Sequence, residues 1–89
     1  MAVMVIAEVA GQDRQGYDGM LQALEGRVRE AEGFIAHASH PVDGGWRVIE
    51  LWRSKADSDR FYAVHVAPNL TPGIHPKRKV QELHSLLTS

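Results

Sequence analysis

The sequence has no cysteine. Disulfides and thiolate metal sites are therefore excluded, and the composition suits a reducing compartment. It also has no surplus of either charge: 10 Lys and Arg stand against 11 Asp and Glu, for a net charge of −1. A nucleic-acid partner would need a basic face to neutralise phosphates, and none is written here. The one basic run, Lys77-Arg78-Lys79, is short and reads as a solvated entrance to a strand. No apolar run approaches the roughly 20 residues of a membrane helix. The apolar start, Met1 to Ala10, is interrupted by Glu8 and has neither the basic n-region nor the cleavage site of a signal peptide. We therefore expect a cytoplasmic protein with no membrane or nucleic-acid partner. Nucleophile elbow, P-loop, dinucleotide fingerprint, HExxH and EF-hand are all missing. There are no internal repeats and no low-complexity tracts.

What remains is 89 residues, enough for a single domain over 1–89. A domain this small buries only about 60–65% of the surface its unfolded chain exposes, so extra buried area from a partner would matter. Val3 to Val9 is rich in β-branched residues and ends at Gly11, which fits a strand. Asp13 then serves as a helix N-cap. Tyr17, Met20, Leu21, Leu24, Val28 and Ala31 recur at helical spacing, predicting an amphipathic helix over about 13–31 that Gly33 stops. Tyr17 and Met20 are read as core. A hairpin comes next, with strands at roughly 33–41 and 46–53 turning at Asp43-Gly44-Gly45. Ser54 caps a second helix, with Asp57 in the acidic position of a capping box. That helix buries Phe61, Val64, His65 and Pro68 and ends near Val66, because Pro68 cannot continue it. Asn69 to Pro76 is a loop, and Val80 to Leu87 reads as the last strand.

The order is βαββαβ. It predicts an α+β, ferredoxin-like fold, with two helices on one face of a four-stranded antiparallel sheet. The strands are apolar on both sides. Val3, Val5, Ala7 and Val9 alternate with Met4 and Ile6, and Val48 and Trp52 alternate with Ile49 and Leu51. Two helices cover only one face. A homodimer packed sheet against sheet would cover the other and supply the missing buried area.

The hairpin concentrates the chemistry. It holds both tryptophans, two of the five histidines and the carboxylate Glu50 inside an apolar run. A two- or four-residue connection places His37, Ser39, Val48, Glu50 and Trp52 on one face together with Ile35. With the turn at Asp43-Gly44, His37 lies directly opposite Glu50. Such a pair fixes the imidazole tautomer and stabilises its cation, which makes a general base or proton relay. Alternatively, the two side chains simply satisfy each other in a half-buried sheet. A three-residue turn would separate them. His37-x-x-His40 is not a metal site on this reading, because residues three apart on a strand point to opposite faces and no further ligand completes the set. His65, on the buried row of the second helix, and Tyr62 could reach the same cavity. His75 falls in the loop and His84 on the last strand.

Gly33-Phe-Ile, Trp46-Arg-Val-Ile-Glu-Leu-Trp-Arg-Ser54 and Phe61-Tyr-Ala-Val-His-Val-Ala-Pro68 together resemble the antibiotic biosynthesis monooxygenase-like proteins of the dimeric α+β barrel superfamily. The resemblance spans nearly the whole chain. It implies a homodimer of ferredoxin-like protomers with a ligand cavity between sheet and helices. It implies a small aromatic or polyketide-like substrate and, in secondary metabolism, a monooxygenase needing no cofactor. A polyketide cyclase and a non-catalytic small-ligand-binding dimer are the alternatives. On this resemblance Trp52, Phe61 and Tyr62 are candidates for shaping the substrate pocket. Glu50, His37 and His65 are candidates for proton transfer. Trp52 is the shared feature, whereas the Asn and Tyr that flank it in the cofactor-free monooxygenases are Val48 and Ser58 in this chain. In the haem-degrading branch a helical Trp stands where this chain has Phe61.

Overall fold

A computed structural model describes residues 1–89. Its elements are β1 (Val3–Ala10), α1 (Arg14–Glu30), β2 (Phe34–Val42), β3 (Gly45–Trp52), α2 (Lys55–Phe61) and β4 (Lys77–Glu82). The strands form one antiparallel sheet in the order β2-β3-β1-β4, the ferredoxin-like arrangement expected from the sequence.

α1 begins where its capping chemistry requires. The Asp13 carboxylate accepts from the Gly16 N–H at 2.8 Å, satisfying one of the orphan donors of the first turn. At the other end Gly33 takes φ +85°, a conformation in which side chains are strained. A Cβ at Gly33 would also run into the Asp57 side chain. The chain can therefore enter β2 at this point only with glycine.

The hairpin closes with a two-residue loop, since Val42 pairs with Gly45. Gly44 supplies a positive φ of 75°, but Asp43 does not, so the turn is not the type I′ form that Asp-Gly favours. A bulge near the start of β2 shifts the register between Phe34 and Ala36. Phe34, and not Ile35 as expected, stands opposite Trp52 and meets its ring edge-on at 5.5 Å.

The helices cover the face that carries Val3, Val5 and Trp52. These three form the buried core with Val28 of α1 and Phe61 of α2. Trp52 is 0% exposed. Truncating a side chain so placed costs about 3–5 kcal/mol in a packed interior. On the opposite face Met4, Ile6, Ile49 and Leu51 are only partly covered.

The second half of the chain departs from the sequence reading in three ways. The Ser54 hydroxyl does cap α2, accepting from the Asp57 N–H at 3.1 Å. The Asp57 carboxylate, however, is held by Arg60 at 3.2 Å instead of reaching back as a capping box. α2 is α-helical only to Phe61. It then passes into a π-turn over Tyr62–Val66, in which the Ala67 N–H bonds the Tyr62 carbonyl, and a 3₁₀ turn over Ala67–Asn69. One extra residue in a turn rotates the downstream side chains by about 100°. The expected buried row breaks accordingly: Val64 is 58% exposed and Pro68 is also exposed. Finally, β4 runs over Lys77–Glu82 and not 80–87, which places His84 beyond its end. The basic run is thus inside the strand, and alternation turns Arg78 inward between two outward lysines.

Candidate functional site

A cavity lies between the helices and the inner face of the sheet. Its volume is about 120 Å³. The walls are mainly apolar, with Val5, Ala7 and Val48 from the sheet, Met20 and Leu24 from α1, and Phe61 and Val66 from the second helical segment. Few polar groups converge on it, chiefly Tyr17, His37, Glu50 and Arg78. An apolar hollow with a few fixed polar groups is the usual form of a small-molecule site.

The two-residue turn puts His37 opposite Glu50, and the side chains meet. His37 Nδ1 lies 2.7 Å from Glu50 Oε2, with both groups about four-fifths buried. The other carboxylate oxygen, Oε1, accepts from the Trp52 indole N–H at 2.9 Å. On the far side His37 Nε2 lies 2.5 Å from the Tyr17 hydroxyl. The result is a continuous chain, Trp52–Glu50–His37–Tyr17. The network assigns the protons. Glu50, as a carboxylate, accepts twice, so neutral His37 carries its proton on Nδ1 and offers Nε2 to the Tyr17 O–H. Burial pushes the Tyr17 phenol above its ordinary pKa. The nearby Glu50 and Asp18 charges act in the same direction, and Ser39 opposes them. Tyr17 therefore keeps its proton and donates it. Its ring also stacks on Trp46 at 5.3 Å.

The expected site residues fall in three groups. His37 and Glu50 are brought together on the cavity wall, and Phe61 and Tyr62 also line the cavity. Trp52 stands behind Glu50 in the core, between Phe34 and Phe61, and reaches the site through its N–H. His65 packs on Phe61 with ring centres 4.9 Å apart and is not part of the cavity wall, because the π-turn sets it to one side. His40 is exposed on the other face, bonded to the Pro41 carbonyl.

Two residues at the site, Tyr17 and Arg78, are missing from the sequence reading, and a third, Trp46, falls on the His37–Glu50 face by the same hairpin parity. Tyr17 sits on the apolar stripe of α1, and nothing in its spacing separates it from core. Trp46, at the turn end of the hairpin, carries the one buried side-chain donor without a partner, its Nε1. Arg78 looks like part of a solvated basic run, but its side chain is 19% exposed and lines the cavity. Alternation within β4 was the available signal, and it depended on starting that strand at Lys77.

No protein-family model and no curated protein matches the chain. Its structure, however, is similar to those of several solved proteins. SnoaB, a cofactor-independent oxygenase from Streptomyces nogalater, aligns over 99% of this chain and 98% of its own, with a TM-score of 0.67 and 12% identity. Rv0793 from Mycobacterium tuberculosis aligns over 99% and 100%, with a TM-score of 0.65 and 21% identity. The haem-degrader MhuD from the same organism, solved with two haems in its active site, aligns over 99% and 100%, with a TM-score of 0.60 and 16% identity. These neighbours have the antibiotic biosynthesis monooxygenase fold, in agreement with the resemblance in the sequence. Both nitrogens of His37 are engaged and His65 lies off the cavity wall, so no free imidazole faces the cavity.

Proposed function

We propose that this protein is a small monooxygenase that oxidises a flat aromatic or polyketide-type molecule with dioxygen and needs no added cofactor. The observation that carries this reading is the unbroken hydrogen-bonded chain along the wall of an apolar cavity. The fold shared with a cofactor-independent oxygenase supports it.

In this reading the substrate lies on the Val5–Ala7 floor with an acidic C–H or O–H toward Tyr17. The substrate proton passes to the Tyr17 oxygen while the Tyr17 proton moves to His37 Nε2. Glu50 then faces an imidazolium, whose charge it stabilises, and the Trp52 N–H holds the carboxylate in place. The resulting enolate is electron-rich and gives an electron to dioxygen. The radical pair combines with formation of a C–O bond to a peroxide, which takes the proton back. Cleavage of the O–O bond with loss of water leaves a carbonyl. Each turnover converts one CH₂ and one O₂ into one C=O and one H₂O.

The test is oxygen uptake with an anthrone in metal-free, flavin-free buffer, using isotopically labelled dioxygen. One labelled oxygen atom in the product supports the reading. Turnover of an open-chain poly-β-keto aromatic without oxygen uptake would point to a cyclase. Tight binding without turnover would point to a non-catalytic binder, a reading favoured by the apolar Val48 at the cavity wall and by Ser58 being occupied with Arg78.

We also assign the partly covered apolar strip of Met4, Ile6, Ile49 and Leu51 to a second copy of the chain. Sedimentation should give twice 9.9 kDa, and Ile49→Lys should reduce it to a single copy.

A further inference from the structure

Arg78 is the one cationic side chain on the cavity wall, and its position is defined. It stands opposite Ala7 on β1, whereas Glu50 stands opposite Val5 on the other side of that strand. Two strand spacings and one two-residue step separate the backbones of Arg78 and Glu50, roughly 11–12 Å. The floor between them is apolar. The cavity therefore has a proton-transfer end and a cationic end, with a flat greasy surface between.

The guanidinium is held from three sides. It donates to the Ser58 hydroxyl at 2.8 Å and to Asp59 at 3.3 Å, and it lies over the Tyr62 ring at 4.4 Å. Ser58 is itself 2% exposed, so the arrangement is locked into the protein. These partners do not exhaust it. A guanidinium fork has more N–H donors than the two bonds use. Its Nε makes no hydrogen bond and is not fully buried, and the side chain lines the cavity. Nor is its charge cancelled, because Asp59 is shared with Lys55 at 2.5 Å, and one carboxylate thus serves two cations.

A structural tie between β4 and α2 would explain the bonds to Ser58 and Asp59. It does not explain why a guanidinium with an unused Nε–H, sharing its one carboxylate with Lys55, lines an apolar hollow. We infer that Arg78 is an anion-recognition site, and that the molecule bound in this cavity is an aromatic carboxylate with its carboxylate on Arg78 and its ionisable hydroxyl at the Tyr17–His37 end. The inference rests on the proposed small-aromatic reading of the cavity but not on the oxygen chemistry.

Binding alone tests it. The probes are 6-hydroxy-2-naphthoate, which carries hydroxyl and carboxylate at opposite ends of a flat ring, the neutral 6-hydroxy-2-naphthamide, and 2-naphthol. Calorimetry on the wild-type chain should show the carboxylate binding about tenfold or more tightly than either neutral probe, as charge-assisted hydrogen bonds out of bulk water allow. Arg78→Gln should bring the three affinities together with little change for 2-naphthol, and Arg78→Lys should retain part of the preference. Equal wild-type affinities, or a preference that survives Arg78→Gln, overturn the proposal. If Arg78→Gln fails to fold by circular dichroism, the wild-type probe series and Arg78→Lys still decide it. A carboxylate preference without oxygen uptake from an anthrone would keep this site and sink the oxygenase. Oxygen uptake without the preference would do the reverse.

Discussion

The hairpin β2–β3 and the segment from α2 to β4 build opposite ends of the same cavity by different means. In the hairpin each side chain is placed by a ladder. Once Val42 pairs with Gly45, the facing pairs are fixed by twos, and His37 meets Glu50. In the later segment an α-turn, a π-turn and a 3₁₀ turn succeed one another before β4 begins. There each irregular turn resets which way the next residue points. The end built by regular pairing carries the proposed acid–base chemistry. At the other end the β4–β1 ladder sets Arg78, while α2 and the irregular turn after it supply Ser58, Asp59 and Tyr62, the partners that hold the proposed anion site.

The contrast is most exposed to test at His37. If the ladder places a working base, His37→Ala should lower turnover about 10²–10³-fold on an anthrone, with little change in the Michaelis constant, because a positioned base contributes about that much to a barrier. Glu50→Gln should fall in the same direction by less, since Trp52 and His37 keep a polar neighbour. Steady-state oxygen uptake measures both. Unchanged turnover in His37→Ala would reduce the pair to two polar groups satisfying each other within the sheet.

Gly33→Ala probes the joint between the two regions. The substitution forces a side chain into φ +85° and against the Asp57 side chain at the start of α2. A loss of about 1–3 kcal/mol in urea unfolding is expected. The same substitution at Gly26, in mid-helix with open space around it, should be neutral or slightly stabilising.

Much of this was legible in the residues, though unevenly. Alternation in β1 and β3, the Asp13 and Ser54 caps and the Asp-Gly turn define the βαββαβ order and bring His37 to Glu50. The bulge at Phe34/Ala36 was not legible, because it depends on how the chain leaves Gly33 beside Asp57. The π-turn was hidden as well. Its sequence is ordinary helix sequence, and only packing of Tyr62 and Val66 toward the cavity distinguishes it. Missing the start of β4 then concealed Arg78 within what looked like a solvated charge run. Tyr17 was hidden for the opposite reason, since an aromatic on an apolar stripe reads as core whether or not its hydroxyl has a partner.

Tyr17 offers a smaller effect with a defined sign. Its folded-state pKa is raised, chiefly by burial. The group therefore contributes stability that is fully present below the unfolded tyrosine value of about 10 and lost as the pH rises through the higher folded value. Wild-type unfolding midpoints should fall more steeply above pH 10 than those of Tyr17→Phe. Parallel curves would mean that the phenol is not sequestered, and would weaken its place next to His37.

The smallest effect is expected at His65, and it tests the later segment's geometry. A regular helix through Val66 would have turned this imidazole toward the cavity along with Phe61. The π-turn leaves it packed on Phe61 and off the cavity wall. His65→Ala should then change oxygen uptake by no more than about threefold, through loosening of Phe61 and not through loss of a proton carrier. The pH profile of turnover should keep its shape. If His65→Ala instead costs as much as His37→Ala and removes a limb of that profile, the imidazole reaches the substrate during turnover. The second helical segment would then contribute to the acid–base end, and the division of labour between the two ends of the cavity would fail.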